Sequence, residues 1–305
     1  MRAARMQYRV KHVLEYVLLR AVMGFVGLLP YRVALALGWF FAAASWWPAH
    51  RRTLAAEARL AEVFGSQFSP RARRRLAWQA WRNLFFNVIE IMRIPRLTPA
   101  KIARLSVVHD EGGVAEHIRS GRGAIIAVPH MGNWDLAGIA AQSYGVPILF
   151  MARRQKNPLT DAYLNRMRSS TGVETIMNDA SAIRLALRRI TAGKVLAMLP
   201  DVRAKRESLD IQFFGGHANI GRGMAVFARE AGVPVFPCCV WREGWTRHHF
   251  QSLPPIWPQA GADAAAEDQR LTQAVMTRLD AVIRAHPGQY FWFNKRWVLD
   301  PLKPN

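Results

Sequence analysis

Acidic residues are scarce in this chain. Its 305 residues include 21 Asp and Glu against 42 Lys and Arg, a formal net charge of +21. An imbalance of that size implies an anionic partner: a nucleic acid, an anionic bilayer, or a phosphorylated or acidic substrate. Cysteine is scarcer still. Cys238 and Cys239 are the only two, and they are adjacent. Vicinal cysteines do not close an unstrained disulfide, so a disulfide framework is excluded and a reducing, cytoplasmic setting is expected. "VPVFPCCVW" reads as a buried strand with both thiols as core residues, and no zinc-ligand spacing is present. Long uninterrupted apolar runs are also missing, which excludes a polytopic membrane protein. No internal repeat, no low-complexity tract and no G-x-S-x-G nucleophile elbow occurs. With 51% apolar and 21% charged residues, the chain is long enough and greasy enough to bury a proper core.

The positive charge is uneven. Residues 1–75 hold thirteen Lys or Arg against three acids, in the greasiest part of the chain. Basic and apolar together point to a membrane surface before nucleic acid. "VLEYVLLRAVMGFVGLL" (13–29) and "VALALGWFFAAASWW" (33–47) flank Pro30. The first is broken by Glu15 and Arg20, and the second is uncharged but short of the roughly 20 residues that a spanning helix needs. No small-residue cleavage pattern marks a signal peptide. Trp46 and Trp47 suit a membrane interface, and Arg9, Lys11, Arg51 and Arg52 supply basic flanks that anionic lipid would hold. The expectation is a membrane-anchoring pair of helices over 1–48, monotopic or single-pass, followed by an α/β domain over 49–305. An ordinary pair of core helices is the plainer alternative.

Within the second part, residues 49–120 read as a helical lead-in and 121–305 as the core. Ser69-Pro70 opens a helix over 70–93 as N-cap and first-turn proline. Trp81, Leu84, Phe85, Val88 and Met92 give it an apolar stripe. Short helices follow near 99–104 and 113–119. From 123 onward, short apolar runs (124–128, 147–151, 173–177, 195–199, 233–240) alternate with helical stretches near 134–142, 158–171, 180–192 and 221–231. That alternation predicts an α/β fold: a central mixed, largely parallel sheet flanked by helices. Residues 248–253 form a hairpin partner for 235–241, and a last helix spans about 264–286.

"AIIAVPHMGNWDLAG" (124–138) carries the chemistry. If 124–128 is a parallel strand, His130 falls at its carboxyl end, where open α/β sheets place ligands. Asn133 caps the next helix and puts Asp135 in its first turn. Two helical residues five apart diverge by about 140°. The pair therefore meets only if the chain reverses at Gly132 and points Asp135 back at the imidazole. An acid on one ring nitrogen leaves the other as a general base. The helix start offers free N–H groups to a phosphate or an oxyanion. A base without a protein nucleophile implies direct attack by a substrate hydroxyl. A capped polar turn is the plainer reading of the same residues.

"HMGNWDLAG" resembles the histidine-x4-acid motif of the bacterial lysophospholipid acyltransferase superfamily. It is most similar to the branch holding the lipid A biosynthesis lauroyl and myristoyl transferases and the phosphatidylinositol mannoside acyltransferases. "ARRQKNPLTDAYLNRMRSSTG" (152–172) resembles that branch's second block through Arg153, Asn157, Pro158, Arg168 and Gly172. "AMLPDVRAKRESLDIQFFGGHANIGRGMAVFAREAGVPVFP" (197–237) resembles the next two through Asp201, Phe213, Phe214, Gly215, Gly223 and Pro234. "VIEIMR" (88–93) and "FWFNKRW" (291–297) extend the likeness. Asp135 stands where the lipid A enzymes carry glutamate, and "HANIGRG" replaces a threonine-rich turn.

The resemblance implies acyl transfer at the cytoplasmic face of the inner membrane, with no cofactor. The donor would be an acyl thioester of acyl carrier protein or coenzyme A, and the acceptor a hydroxyl of a lipid or glycolipid. It casts His130 as base, Asp135 as the acid that orients it, and Arg153 as a phosphate ligand. Asp201 would hold an acceptor hydroxyl or position Arg203; Asn133, Asn157 and Gly223 complete the substrate-binding set. Phe213 and Phe214 are expected in the core or the acyl-groove wall. Two rivals stand beside this: a metal-dependent hydrolase using His130, Asp135 and Asp201, and a non-enzymatic basic membrane-surface protein. Nucleic acid is not expected as a partner.

Overall fold

In the computed structural model, which describes residues 9–152, 154–177 and 181–301, the first third is helical and the rest alternates. Helices α1 (Val10–Leu28), α2 (Tyr31–Trp46), α3 (His50–Phe64), α4 (Pro70–Met92) and α5 (Pro99–Leu105) precede the first strand. Ser69 caps α4 by accepting from the Ala72 amide, with Pro70 at the first helical position, and Thr98 with Pro99 does the same for α5.

The alternating region then lays down β1 (Ser106–Asp110), α6 (Val114–Arg119), β2 (Ala124–Ala127), α7 (Trp134–Ser143), β3 (Ile148–Ala152) and α8 (Pro158–Ser169). After these come β4 (Glu174–Met177), α9 (Ala182–Thr191), β5 (Val195–Met198), the hairpin β6 (Leu209–Phe213) and β7 (Gly216–Ile220), and α10 (Gly223–Ala231). Strands β8 (Val235–Glu243) and β9 (Arg247–Ser252) and the long α11 (Ala264–Ala285) complete the described elements.

Among the described residues, seven strands make one sheet in the order β1-β9-β8-β2-β5-β3-β4. The five from β8 to β4 are parallel. The β8–β9 hairpin turns the direction, and β1 pairs parallel to β9. The fold is therefore α/β, with a mostly parallel sheet flanked by helices. Alternation along β2 explains the two-sided core: Ile125 and Ala127 pack toward α9, α10 and α11, whereas Ala124 and Ile126 face α5, α6 and α7.

Three elements differ from expectation. β1 and the β6–β7 hairpin come from stretches without a clean apolar run. In α4 the buried face is rotated: Val88 is exposed, whereas Asn83, Asn87 and Glu90 are buried. This helix packs against α2 and α3 on one side and the sheet region on the other, so a single stripe does not describe it.

Helices α1 and α2 pack on the rest of the molecule. Gly38 permits close approach of α2 to α4, since a Cβ there would meet Ile89 at 2.9 Å. The Arg93 guanidinium donates to the Val26 and Leu29 carbonyls, both at 2.6 Å, closing the end of α1. The outer faces stay apolar and exposed: Leu28 is 73% accessible, Phe40 60% and Trp47 77%. Among the described residues no helix is long and apolar enough to cross a membrane.

Candidate active site

β2 and β5 are adjacent parallel strands, with Ala127 opposite Met198. Each leaves the sheet through a branched residue and a proline, "AVPH" beside "MLPD", so His130 and Asp201 lie three residues beyond paired positions. The register brings them together. His130 Nδ1 is 2.8 Å from Asp201 Oδ1, and the His130 amide donates to Asp201 Oδ2 at 2.9 Å. A carboxylate on Nδ1 fixes the proton there and leaves Nε2 as the acceptor. The Asp201 side chain is fully buried.

Burial alone would lower the imidazole pKa, but the charge and hydrogen bond of Asp201, helped by Asp135, hold it above the ordinary 6.5. Burial would likewise raise Asp201, and His130 with its amide brings that carboxyl below its ordinary value. Behind it stands Tyr290, fully buried, whose phenol is pushed well up by burial and by Asp201.

The bond that the motif's spacing expects from Asp135 is thus made by Asp201. The reversal at Gly132 does occur: its φ is +55°, and a Cβ there would lie 2.3 Å from the Val240 carbonyl oxygen. Asp135 sits in the first turn of α7, but among the described residues no hydrogen bond joins it to His130. Asp135 instead lines a cavity, as does Arg168. Burial pushes the Asp135 carboxyl up against the pull of Arg168 and His130.

The turn is braced on every side. Gly132 N–H donates to the Gln289 carbonyl at 2.9 Å, and Asn87 Nδ2 donates to the Gly132 carbonyl at 2.5 Å. The Phe291 amide donates to the His130 carbonyl at 2.7 Å. Asn133 Oδ1 accepts from the Leu136 amide at 2.9 Å, and its Nδ2 donates to Glu90 Oε2 at 2.6 Å. Asn133 is therefore the cap of α7, and its side chain is committed to the fold.

Glu90 is the hub of a buried polar network. Arg242 grips both its oxygens at 2.6 Å, and Tyr31 Oη donates to Oε1 at 2.5 Å. His248 Nε2 lies 3.1 Å from Oε1. Burial would raise this carboxyl; Arg242 first and His248 next hold it well below the usual range. Arg242 also donates to Asn87 Oδ1 at 3.0 Å. The sequence reading missed this network; its available signal was three polar residues at i, i+4 and i+7 in the second half of α4 (Asn83, Asn87, Glu90), and Arg242 gave none.

The other expected site residues divide. Asn157 caps α8, accepting from the Leu159 and Thr160 amides, and its Nδ2 reaches the His12 carbonyl and Glu15, both at 2.9 Å. It ties α1 to α8. Arg203 donates to the Pro301 carbonyl, and its own carbonyl accepts from Arg296 at 3.1 Å. Arg296, whose charge pulls the His130 pKa down, is thus the cation that the C-terminal segment brings to the imidazole. Gly223 starts α10, beside Met198 of β5. Arg153 lies outside the described residues. Phe213 and Phe214 are buried in the core; Phe214 takes φ +55° in the β6–β7 turn and stacks on Trp292 and Trp297. Cys239 is buried, Cys238 lines the cavity, and burial raises both thiols, as expected of core cysteines. Among the described residues no group of three or more His, Cys, Asp or Glu could hold a metal ion.

One residue from the base, an apolar cavity of about 300 Å3 begins at Trp134, whose ring lies 5.1 Å from that of His130. It runs between α7 and one sheet face, past Ile126, Ile148, Phe150 and Phe250, to Asp110 and Ser252. Gly138 opens it: a Cβ there would meet the Phe150 ring at 2.2 Å.

The chain is similar to known acyltransferases. The chain is 27% identical to the phosphatidylinositol mannoside acyltransferase of Mycolicibacterium smegmatis, over 72% of this chain and 69% of that protein. The enzyme of that name from Mycobacterium tuberculosis is 27% identical over 69% of this chain and 66% of its own length. Lipid A biosynthesis acyltransferase 2 of Shigella flexneri is 24% identical over 60% and 58% respectively. The family model for bacterial lipid A biosynthesis acyltransferases matches residues 4–298. With that match running nearly end to end, the chain belongs to the bacterial lipid A biosynthesis acyltransferase family.

Proposed function

We propose that this protein moves a fatty acyl chain from an acyl thioester, carried on acyl carrier protein or coenzyme A, to a hydroxyl of a lipid A precursor or related glycolipid or lysophospholipid. The observation that carries the reading is the His130–Asp201 hydrogen bond at the carboxyl edge of the sheet, one residue from an apolar cavity. His130 Nε2 takes the proton as the acceptor oxygen attacks the thioester carbonyl. The oxyanion forms near the positive end of α7, where Asn133 leaves the Trp134 and Asp135 amides over. The C–S bond then breaks, and the imidazolium returns its proton to the departing thiolate. Asp201 sets the tautomer and stabilises the imidazolium. Asp135 and Arg168 stand at the cavity, where they bound the polar end of the acyl chain.

The exposed apolar faces of α1 and α2, with their basic flanks, support docking on a membrane surface, so that acceptor lipid is drawn from the bilayer. The family and the relatives' names support a lipid acceptor; the +21 charge suits both anionic lipid and an acidic carrier protein.

The test is transfer of a radiolabelled acyl chain from acyl carrier protein or coenzyme A to extracted glycolipid, by parent and His130→Ala protein. The variant is expected to lose about a thousandfold or more in rate while still pelleting with vesicles. Transfer at the parent rate would refute the base.

A further inference from the structure

Gly138 sits in the middle of α7, where glycine weakens a helix relative to alanine. Its φ is not positive, so no turn calls for it. The approach of Phe150 does. A Cβ at this position would meet the tip of the Phe150 ring at 2.2 Å and two more ring atoms at 3.1 Å. The ring therefore rests against bare helix backbone, and the apolar cavity stays open past it.

Strand register orders the wall of that cavity. Val128 and Leu199 lie just beyond the paired ends of β2 and β5. Ile126, Ala197 and Phe150 share one level across three strands, and Ile148 of β3 lies two residues deeper. Helix α7 runs back the other way, from Trp134 beside the base to Tyr144 at the far end. Ten helical steps separate those two, about 15 Å. An extended hydrocarbon advances about 1.25 Å per carbon, given bonds of about 1.5 Å and tetrahedral angles, so the route takes about twelve carbons.

The cavity also reaches β1, but that branch ends on polar groups. Asp110 accepts from the Val114 and Ala115 amides at 2.8 and 2.9 Å, and from Ser252 Oγ at 2.5 Å. A hydrocarbon tail pressed against this carboxylate would strip it of water and replace no bond. The branch along α7 is apolar, and burial there is favourable.

We propose that the contact between Gly138 and Phe150 sets the length of acyl chain that the enzyme transfers, with chains of about twelve carbons filling the route along α7. This rests on the acyl-transfer reading of the site and specifies its substrate. A methyl group at position 138 would drive the Phe150 ring off the helix, and the cavity is the space open to it. The ring would then cross the route four helical steps below Trp134, leaving about 6 Å, room for about five carbons.

The experiment measures kcat/KM for hexanoyl, dodecanoyl and hexadecanoyl thioesters, on whichever carrier serves the full-length parent. Gly138→Ala is compared with the parent and with the double variant Gly138→Ala, Phe150→Leu, each shown to be folded by its thermal midpoint. The parent is expected to prefer dodecanoyl to hexadecanoyl. Gly138→Ala is expected to lose about tenfold or more on dodecanoyl relative to hexanoyl. The smaller leucine relieves the clash, so the double variant is expected to return toward the parent's preference. Should Gly138→Ala fail to fold, Phe150→Trp enlarges the ring without touching the helix, and the same selective loss is expected.

An unchanged ratio of dodecanoyl to hexanoyl would mean that the helix yields instead of the ring. Equal losses on both chains would mean general damage to the site. Either result, or a double variant that keeps the Gly138→Ala ratio, would overturn the proposal while leaving acyl transfer by the parent intact. A parent that prefers hexadecanoyl to dodecanoyl would overturn the assigned length. A parent that transfers none of the three chains would remove the acyl-transfer reading and this proposal together.

Discussion

The turn holding His130 and the outer face of α1 and α2 solve opposite problems. Around the turn, buried polar groups answer one another, Glu90 with Arg242, Asn133 with Glu90 and Asp201 with His130, while among the described residues Arg242 Nε and His248 Nδ1 are left without a partner. On the helical face, large apolar side chains such as Val17, Leu18, Phe25 and Phe40 are exposed among the described residues. Buried polar groups that lose a partner are costly, so the first region is rigid and specifies one geometry. Exposed apolar groups cost little in the folded chain and gain only when another apolar phase covers them. One region holds atoms in place for chemistry. The other awaits a surface.

If that contrast is right, the largest effect comes from changing a partner at the turn by a single atom. Asp201→Asn keeps the shape but lets Nδ1 become the acceptor, so Nε2 carries the proton and cannot serve as base. A fall of about a thousandfold or more in kcat/KM is expected, with folding intact by circular dichroism. The pH profile adds a sign. His130 works only when neutral, and its raised pKa places the acid limb above the ordinary 6.5. In Asp201→Asn the charge that raises it is gone and burial remains, so the limb of the residual activity moves to lower pH. An unmoved limb would mean that another group titrates. Stability follows the same pair. The His130 share is full below pH 6.5 and is lost as pH rises through its folded value. The Asp201 share is present above 3.8 and is lost as pH falls through its lowered one.

Next in size is the strut behind the turn. Glu90→Ala leaves Arg242 buried and unpaired, and a loss of about 3–5 kcal/mol in urea unfolding is expected. Should that variant fail to fold, Glu90→Met with Arg242→Met removes both charges and is expected to recover much of the stability. It still strips Asn133 Nδ2 of its acceptor. A lowered kcat with KM near the parent value then marks the strut as positioning the turn, whereas unchanged kcat would reduce it to a stabilising pair.

How much of this was legible follows from the range of the interactions involved. The caps at Ser69 and Asn133 are local, and the strands of the parallel sheet are short apolar runs between helices. Both kinds read directly from neighbouring residues. His130 at a strand end was legible for the same reason. Its partner was not, because Asp201 lies 71 positions away and reaches the imidazole only through strand register. The repeated strand-proline-polar pattern, "AIIAVPH" and "VLAMLPD", was the available signal, and it becomes decisive only once β2 and β5 are known to be neighbours. Asn133, read both as a helix cap and as a substrate ligand, is the cap and also holds Glu90, and Asn157, read as a substrate ligand, caps α8 and holds α1. A cap and a ligand use the same oxygen, and sequence alone does not say which partner arrives first.

The smallest effect on the folded chain tests the other side of the contrast. Phe25 and Phe40 lie on α1 and α2 with 57% and 60% of their surface exposed, so replacing both by Gln removes little packing. Gln is a good helix former, and a stability change within about 0.5 kcal/mol per site is expected. In a bilayer each ring would bury most of its remaining surface, worth about 1–2 kcal/mol. The double variant should therefore lose about tenfold or more of its affinity for phosphatidylcholine vesicles while unfolding with its parent. A melting transition that drops by many degrees would place these rings in the core energetics despite their exposure. Unchanged vesicle affinity would move the docking face elsewhere. Either result would break the contrast at its weaker end, because the turn's geometry is fixed by its own hydrogen bonds whatever covers α1 and α2.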